Sequence, residues 1–162
     1  MSWADYKDGR AYMEMADGST YGLELFSDVD GVFFDKNKHL VGGDLYVSVF
    51  QVSASNPGRP SGFCGAGKEI WLYIYKVDGD ALRVRTRVLV SSCLRSISMA
   101  SQNAGEEAED IDFSSVKWSG KGFSIEWFYN VDDVGRALRS TSYVLRDNVF
   151  YPMGIISEDV KE

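Results

Sequence analysis

The chain is 162 residues long, enough for one domain that buries most of the surface its unfolded form exposes. Its 44% hydrophobic and 14% aromatic content, with only three prolines, excludes a low-complexity or disordered chain. With 24 acidic against 17 basic side chains and a net charge of −7, it is repelled by phosphate backbones and anionic membrane surfaces, so neither nucleic acid nor a membrane is an expected partner and a basic protein surface is favoured.

No apolar stretch approaches the roughly 18 residues of a membrane-spanning helix. The start Met1-Ser2-Trp3-Ala4-Asp5 lacks the charged-then-apolar pattern of a leader, so an exported form is expected to have lost its leader from this sequence. Short β-branched and aromatic runs between turn signals, without sustained helical spacing, predict an all-β fold. Antiparallel hairpins in a single domain over 1–162 would form a sandwich, a barrel or a small propeller-like arrangement.

In chain order the expected strands are Ala11 to Met15, Thr20 to Phe26, Gly31 to Asp35, Asp44 to Ser53, Glu69 to Val77 and Ala81 to Ser91. Leu94 to Met99, Asp112 to Trp118, Gly122 to Tyr129, Ala137 to Leu145 and Asn148 to Met153 follow. Asp17-Gly18, Gly42-Gly43, Asp78-Gly79, Ser119-Gly120 and Asp147-Asn148 tolerate positive φ or stabilise turns through their side chains, and each marks a hairpin. Two longer connections, Ala54 to Gly62 and the small, polar and acidic Ala100 to Asp110, are the places for binding residues.

The segment from Cys64 to Cys93 carries the most information. A two-residue turn at Asp78-Gly79 sets Cys64 opposite Cys93, a spacing that suits a disulfide, but also sets Ile70, Leu72 and Ile74 opposite Arg87, Arg85 and Arg83. A three-residue loop with Gly79 in the left-handed region instead pairs Leu72 with Val84 and Ile74 with Leu82. Trp71, Tyr73 and Tyr75 then meet the arginines on the other face, and a bulge in Gly65-Ala66-Gly67 absorbs the offset. The second register is preferred, and either keeps Cys64 near Cys93. An even cysteine count and this geometry predict a disulfide over two buried thiols or a metal pair.

Catalytic constellations are scarce. Two cysteines and the single His39 do not make a four-ligand zinc spacing, so neither a metal nor another cofactor is expected. His39 itself, in Lys36-Asn37-Lys38-His39, reads as an exposed turn residue. There is no Gly-x-Ser-x-Gly, and Ser91-Ser92 ends a strand. Asp28-Val29-Asp30-Gly31 lacks the remaining ligands of an EF-hand loop.

Phe26-Ser27-Asp28-Val29-Asp30-Gly31 resembles the first motif of haloacid-dehalogenase-type phosphatases, with Asp132-Asp133 in place of their last metal-binding motif. That resemblance implies a small Asp-dependent phosphatase with Asp28 as nucleophile and Asp30 as acid. Such chemistry needs a parallel sheet with crossover helices, which a chain of hairpins lacks. An Asp-Gly turn leading into a strand explains the same residues.

A binding role has more support. The acidic run Glu106, Glu107, Glu109, Asp110 and Asp112 reads most simply as a solvated loop. Preceded by Ser98, Ser101, Gln102 and Asn103, it also makes a projecting small-polar segment able to enter a partner's cleft. The aromatic residues Trp71, Tyr73, Tyr75, Trp118, Trp127 and Tyr129 supply packing and one or two anchors, for protein or for sugar.

Gly62-Phe63-Cys64-Gly65-Ala66-Gly67-Lys68-Glu69, an aromatic strand, and then Ser92-Cys93-Leu94-Arg95-Ser96-Ile97 resemble a pattern in small exported bacterial β proteins. Among these are periplasmic immunity proteins that neutralise the peptidoglycan-amidase toxins of type VI secretion. The resemblance implies an oxidising compartment, a secreted toxin as partner and an inhibitory loop that plugs the toxin's active site. Ser98, Ser101, Gln102, Asn103, Glu106, Glu107 and Asp110 are the residues expected to carry it, with Ser91-Ser92 and Ser114-Ser115 as further candidates. The chain is thus expected to bind rather than to catalyse, with carbohydrate or peptidoglycan binding as the alternative.

Overall fold

A computed structural model describes residues 2–25, 29–103 and 112–157. The first strands are β1 (Ser2–Trp3), β2 (Asp5–Lys7), β3 (Arg10–Glu14), β4 (Thr20–Glu24), β5 (Val29–Phe34), β6 (His39–Val41) and β7 (Asp44–Ala54). They are followed by β8 (Lys68–Asp78), β9 (Ala81–Ser92), β10 (Ser98–Met99), a single 3-10 turn at Ala100–Asn103, β11 (Val116–Ser119), β12 (Gly122–Tyr129), β13 (Leu138–Arg146) and β14 (Val149–Ile156). Every pairing between these strands is antiparallel and no α-helix occurs among the described residues, as the turn-punctuated sequence predicts.

Three sheets form. The central sheet runs β1-β5-β7-β8-β9, with β6 lying end to end with β5 along the same edge of β7. The second runs β10-β12-β13-β14 with β11 also beside β12, and the third is the small β2-β3-β4. Alternation along β8 shows how they stack. Ile70, Leu72 and Ile74 belong to one apolar cluster with Phe123, Ile125, Trp127 and Phe150 of the second sheet. Tyr73 and Tyr75 belong to another with Ala11, Met13, Tyr21 and Leu23 of the small sheet.

The central sheet is therefore covered on both faces. This is why Tyr46 to Gln51 of β7 are all buried and show no polar alternation, a pattern that follows when both faces of a strand leave water. Phe50, fully buried, stacks on Phe113 at 4.1 Å and anchors the first cluster.

Tyr46 tests the packing of this core. Its ring is fully buried edge-on to Phe150 at 5.1 Å, and its hydroxyl has no hydrogen-bond partner among the described residues. Burial, with the Asp44 carboxylate adding to it, pushes the phenol pKa up. A buried donor without an acceptor costs about 1–3 kcal/mol. Tyr46→Phe is therefore expected to leave stability unchanged or raise it by about 1 kcal/mol in urea unfolding, and a loss of more than 1 kcal/mol would reveal a hydroxyl contact that matters.

All five turn signals sit in hairpins. Gly42-Gly43 and Asp147-Asn148 place both central residues at positive φ, the two-residue geometry whose twist matches the flanking strands. Asp8-Gly9 does the same between β2 and β3, a hairpin not among those expected from the sequence.

Four expectations need correction. The β8–β9 hairpin has neither of the anticipated registers. Asp78 pairs with Ala81 around Gly79-Asp80, and two bulges in β9, at Arg85 and Val90, bring Leu72 opposite Val88 and Ile74 opposite Thr86. Gly79 is left-handed as anticipated, but the offset is taken up in β9 and not before β8. The extra residue Val90 turns wholly into the core, which is the gain that fixes that bulge. Trp71 and Tyr73 do meet an arginine: Arg87 pairs with Tyr73 and lies 4.9 Å over the Trp71 ring.

His39 is no exposed turn residue. It sits in β6, half-buried, with its ring parallel to Trp118 at 4.4 Å and Nε2 2.7 Å from Asp35 Oδ2. The strand expected over Leu94 to Met99 shrinks to Ser98–Met99 because 93–96 form a turn, with Ser96 at φ 54°. That expected over Asp112 to Trp118 begins only at Val116, since Asp112 Oδ1 accepts from both the backbone N–H and the hydroxyl of Ser114 and holds a turn there.

Candidate functional site

The chain places a disulfide, a carboxylate network and a cleft together at one end of the central sheet. Cys64 and Cys93 are bonded, with Cα atoms 5.8 Å apart. Gly67 runs directly beneath: a Cβ there would stand 2.6 Å from Cys93 Cβ and 2.9 Å from its Sγ, so only glycine lets the loop pass under the bridge.

Glu69, at the start of β8, gathers the same segment. Its Oε2 accepts from Ser55 Oγ at 2.5 Å, from the Cys93 N–H at 3.0 Å and from the Leu94 N–H at 3.4 Å. Its Oε1 accepts from the hydroxyl of the buried Ser92. Ser92 Oγ in turn accepts from the Arg95 N–H, and Ser92 and Ile97 exchange both backbone bonds. One carboxylate and one disulfide thus fix the turn that carries the chain from β9 into β10.

Beside this turn lies a cleft of about 490 Å³, within the roughly 300–1,000 Å³ usual for ligand sites. Its floor is apolar, made by Phe33, Val52, Ile70 and Ile97, all of which belong to or pack on the core between the first two sheets. Its mouth is polar. Asp30 is the bulged residue of β5, and the bulge aims its carboxylate at Lys68 Nζ, 3.2 Å away. Ser91, Ser98 and Gln102 also line the cleft.

Of the anticipated binding residues, Ser98 and Gln102 therefore come together in the cleft wall. Ser101 is occupied structurally, its N–H donating to Ser115 Oγ at 2.8 Å and its hydroxyl to the Asp112 carbonyl at 2.7 Å. Asn103 closes the 3-10 turn, while Glu106, Glu107 and Asp110 lie outside the described residues. The stretch 98–103 does not project as anticipated: Met99 and Gln102 are buried, because the neighbouring Phe113 is drawn into the core against Phe50 and Phe33.

Asp30, Lys68, Phe33, Val52, Ile70 and Ile97 were not singled out as cleft residues, except that Asp30 stood in the phosphatase-like string. No spacing rule joins residues from three separate strands and a turn, so the sequence held no signal for them. The antiparallel sheets do not supply the parallel scaffold of the phosphatase resemblance, and Asp28 lies outside the described residues. Asp132, its other element, is spent on a local turn, accepting from the Val134 and Arg136 N–H groups and from Arg136 Nε. Among the described residues no cluster of three or more His, Cys, Asp or Glu is placed to hold a metal, and no helix is long and apolar enough to cross a membrane.

Several carboxylates are held below their usual range by fixed donors. Lys38 and Ser19 do this for Asp17, Arg83 for Asp78, Ser114 for Asp112 and the Arg136 backbone and side chain for Asp132. At Asp35 burial pushes the other way, but the bonds from His39 and the Asn37 N–H outweigh it. A carboxylate depressed in the folded state stabilises above its unfolded pKa and loses that contribution as pH falls through its folded value. The melting temperature is accordingly expected to hold between pH 7 and about 5 and to fall steadily below about 4. Thermal melts across this range check it, and a flat profile down to pH 2 would contradict it.

Two further clefts open among the described residues. One of about 420 Å³ opens between Arg10, Leu23, Glu24, Tyr73, Tyr75 and Val84. Another of about 320 Å³ has an aromatic wall of Trp118 and Tyr143, bracketed by Lys117 and Lys121. No family model matches the chain, and neither a curated protein nor a solved structure matches it significantly.

Proposed function

We propose that the protein is a non-catalytic, stoichiometric binding module, in its most concrete form an exported immunity protein that occludes the active site of a secreted cell-wall-degrading toxin such as a peptidoglycan amidase. The observation that carries this reading is the disulfide-bearing end of the central sheet, where Glu69 and the Cys64–Cys93 bond hold a rigid turn beside a cleft with an apolar floor and a polar mouth. Rigid anchors within a polar rim are the usual composition of a tight protein interface. The disulfide fits an oxidising compartment, and the net charge of −7 fits a basic partner.

The direct test is a pull-down of the oxidised protein against the products of adjacent reading frames, followed by calorimetry. A one-to-one complex with a secreted hydrolase, weakened by Ser98→Arg and by charge reversal at Glu106 and Glu107, is the expected result. Absence of any complex with those products would reject the immunity form.

Glycan binding is the second reading, favoured by the cleft in which Trp118 and Tyr143 stand among the hydroxyls of Ser119, Ser124 and Ser142. Tryptophan fluorescence that stays unchanged on adding soluble peptidoglycan fragments would remove it.

A further inference from the structure

The cleft beneath the disulfide has a chemistry that narrows its occupant, and we infer that it is a recognition pocket for one apolar side chain, leucine- to phenylalanine-sized, presented by a polypeptide partner. This inference rests on the protein-binding reading above and names what that surface grips.

The floor comes first. Phe33, Val52, Ile70 and Ile97 are continuous with the core between the first two sheets, so the cleft is an open end of that core. A side chain entering it leaves water for contacts of the kind the core already makes, the setting in which single anchors dominate an interface. At about 490 Å³ the space is too small for a folded element and sufficient for one side chain with its flanking backbone.

The mouth decides between a peptide and a charged small molecule. The two ionic groups among its described lining residues, Asp30 and Lys68, face each other at 3.2 Å and neutralise one another, so the described lining presents no uncompensated charge to an ionic head group. Ser91 and Ser98 instead offer neutral hydroxyls, each both donor and acceptor, which match the N–H and C=O of a peptide unit.

The wall is rigid. The Cys93–Ile97 turn is tied to Glu69, to the disulfide and to Ser92, so little ordering remains to be done on binding.

The test is a ¹⁵N NMR titration of the oxidised protein with N-acetyl-phenylalaninamide and N-acetyl-leucinamide, against N-acetylglycinamide and phenylacetate as controls. Saturable shifts confined to residues around Phe33, Val52, Ile70 and Ile97 are expected for the two apolar amides, at on the order of millimolar affinity, with at least about tenfold weaker response to both controls. Ser98→Trp, which fills the mouth, should abolish them, and Ser91→Phe provides a second filling variant on a different strand, each checked for a native spectrum.

Shifts of equal size with N-acetylglycinamide, tighter binding of phenylacetate, shifts that survive both filling variants, or no response at the cleft would each overturn the inference. Cleft binding of the apolar amides without any complex among adjacent gene products would uphold the pocket and reject the immunity form. A complex insensitive to both filling variants would do the reverse.

Discussion

Reducing the Cys64–Cys93 bond, or replacing both residues by serine, is expected to destabilise the protein by about 3–4 kcal/mol, the chain-entropy cost for closing a loop with a separation of 29 residues. For a chain of this size that corresponds to a melting temperature lower by roughly 10 °C. The effect should also be local. The bridge ties Cys93, just beyond β9, to the loop that precedes β8, so its loss frees one wall of the cleft. Amide exchange at Ile97, whose N–H donates to the Ser92 carbonyl at 3.0 Å, is expected to accelerate more than exchange at Leu72 in the central sheet. Calorimetric melts with and without reductant measure the first effect and exchange measures the second. A change under about 1 kcal/mol would mean that hydrogen bonds alone hold this end of the molecule.

Glu69→Ala has the second large effect. Four donors converge on this carboxylate: the hydroxyls of Ser55 and Ser92 and the N–H groups of Cys93 and Leu94. Ser92 is only 3% exposed and cannot turn to water when its acceptor is removed. Hydrogen bonds to a charged group contribute about 1.5–3 kcal/mol each, but the exposed Leu94 bond is long and the four share one side chain, so the expected net loss is about 3 kcal/mol.

Glu69→Gln keeps the shape and one acceptor oxygen while placing an NH₂ group against the remaining donors. It should cost about half as much, the Ser hydroxyls rotating to accept. Both changes are read from urea midpoints. Because Glu69 and the disulfide hold the same turn, the combined variant should lose less than the sum of the two. Strict additivity would show that they act on separate parts of the chain.

The composite site shows where reading from the chain stops. Hairpins at Gly42-Gly43 and Asp147-Asn148 were legible because a two-residue turn with both φ values positive restricts its residue types so sharply. The cysteine pair was legible because an even count flanks a long hairpin. The β8–β9 register was not, since the deciding term is the burial of Val90 in a bulge against residues of another sheet, a contact without any local trace. His39 was misread for the same reason: its surroundings, Trp118 stacked on the ring, lie 79 positions further along the chain. The cleft is legible only in the part where Ser98 and Gln102 stand in a polar connection.

By itself, then, the order of residues determined the class of fold, the positions of the tight turns and the disulfide. Each of these depends on local backbone chemistry or on the simple alternation of side chains along a strand. Which face of each strand meets which sheet, the burial of β7 on both sides, the Asp30–Lys68 pair and the apolar floor beneath the disulfide were decided only by the tertiary structure. These depend on the packing of residues far apart in the chain, whose contacts exist only once all three sheets have formed.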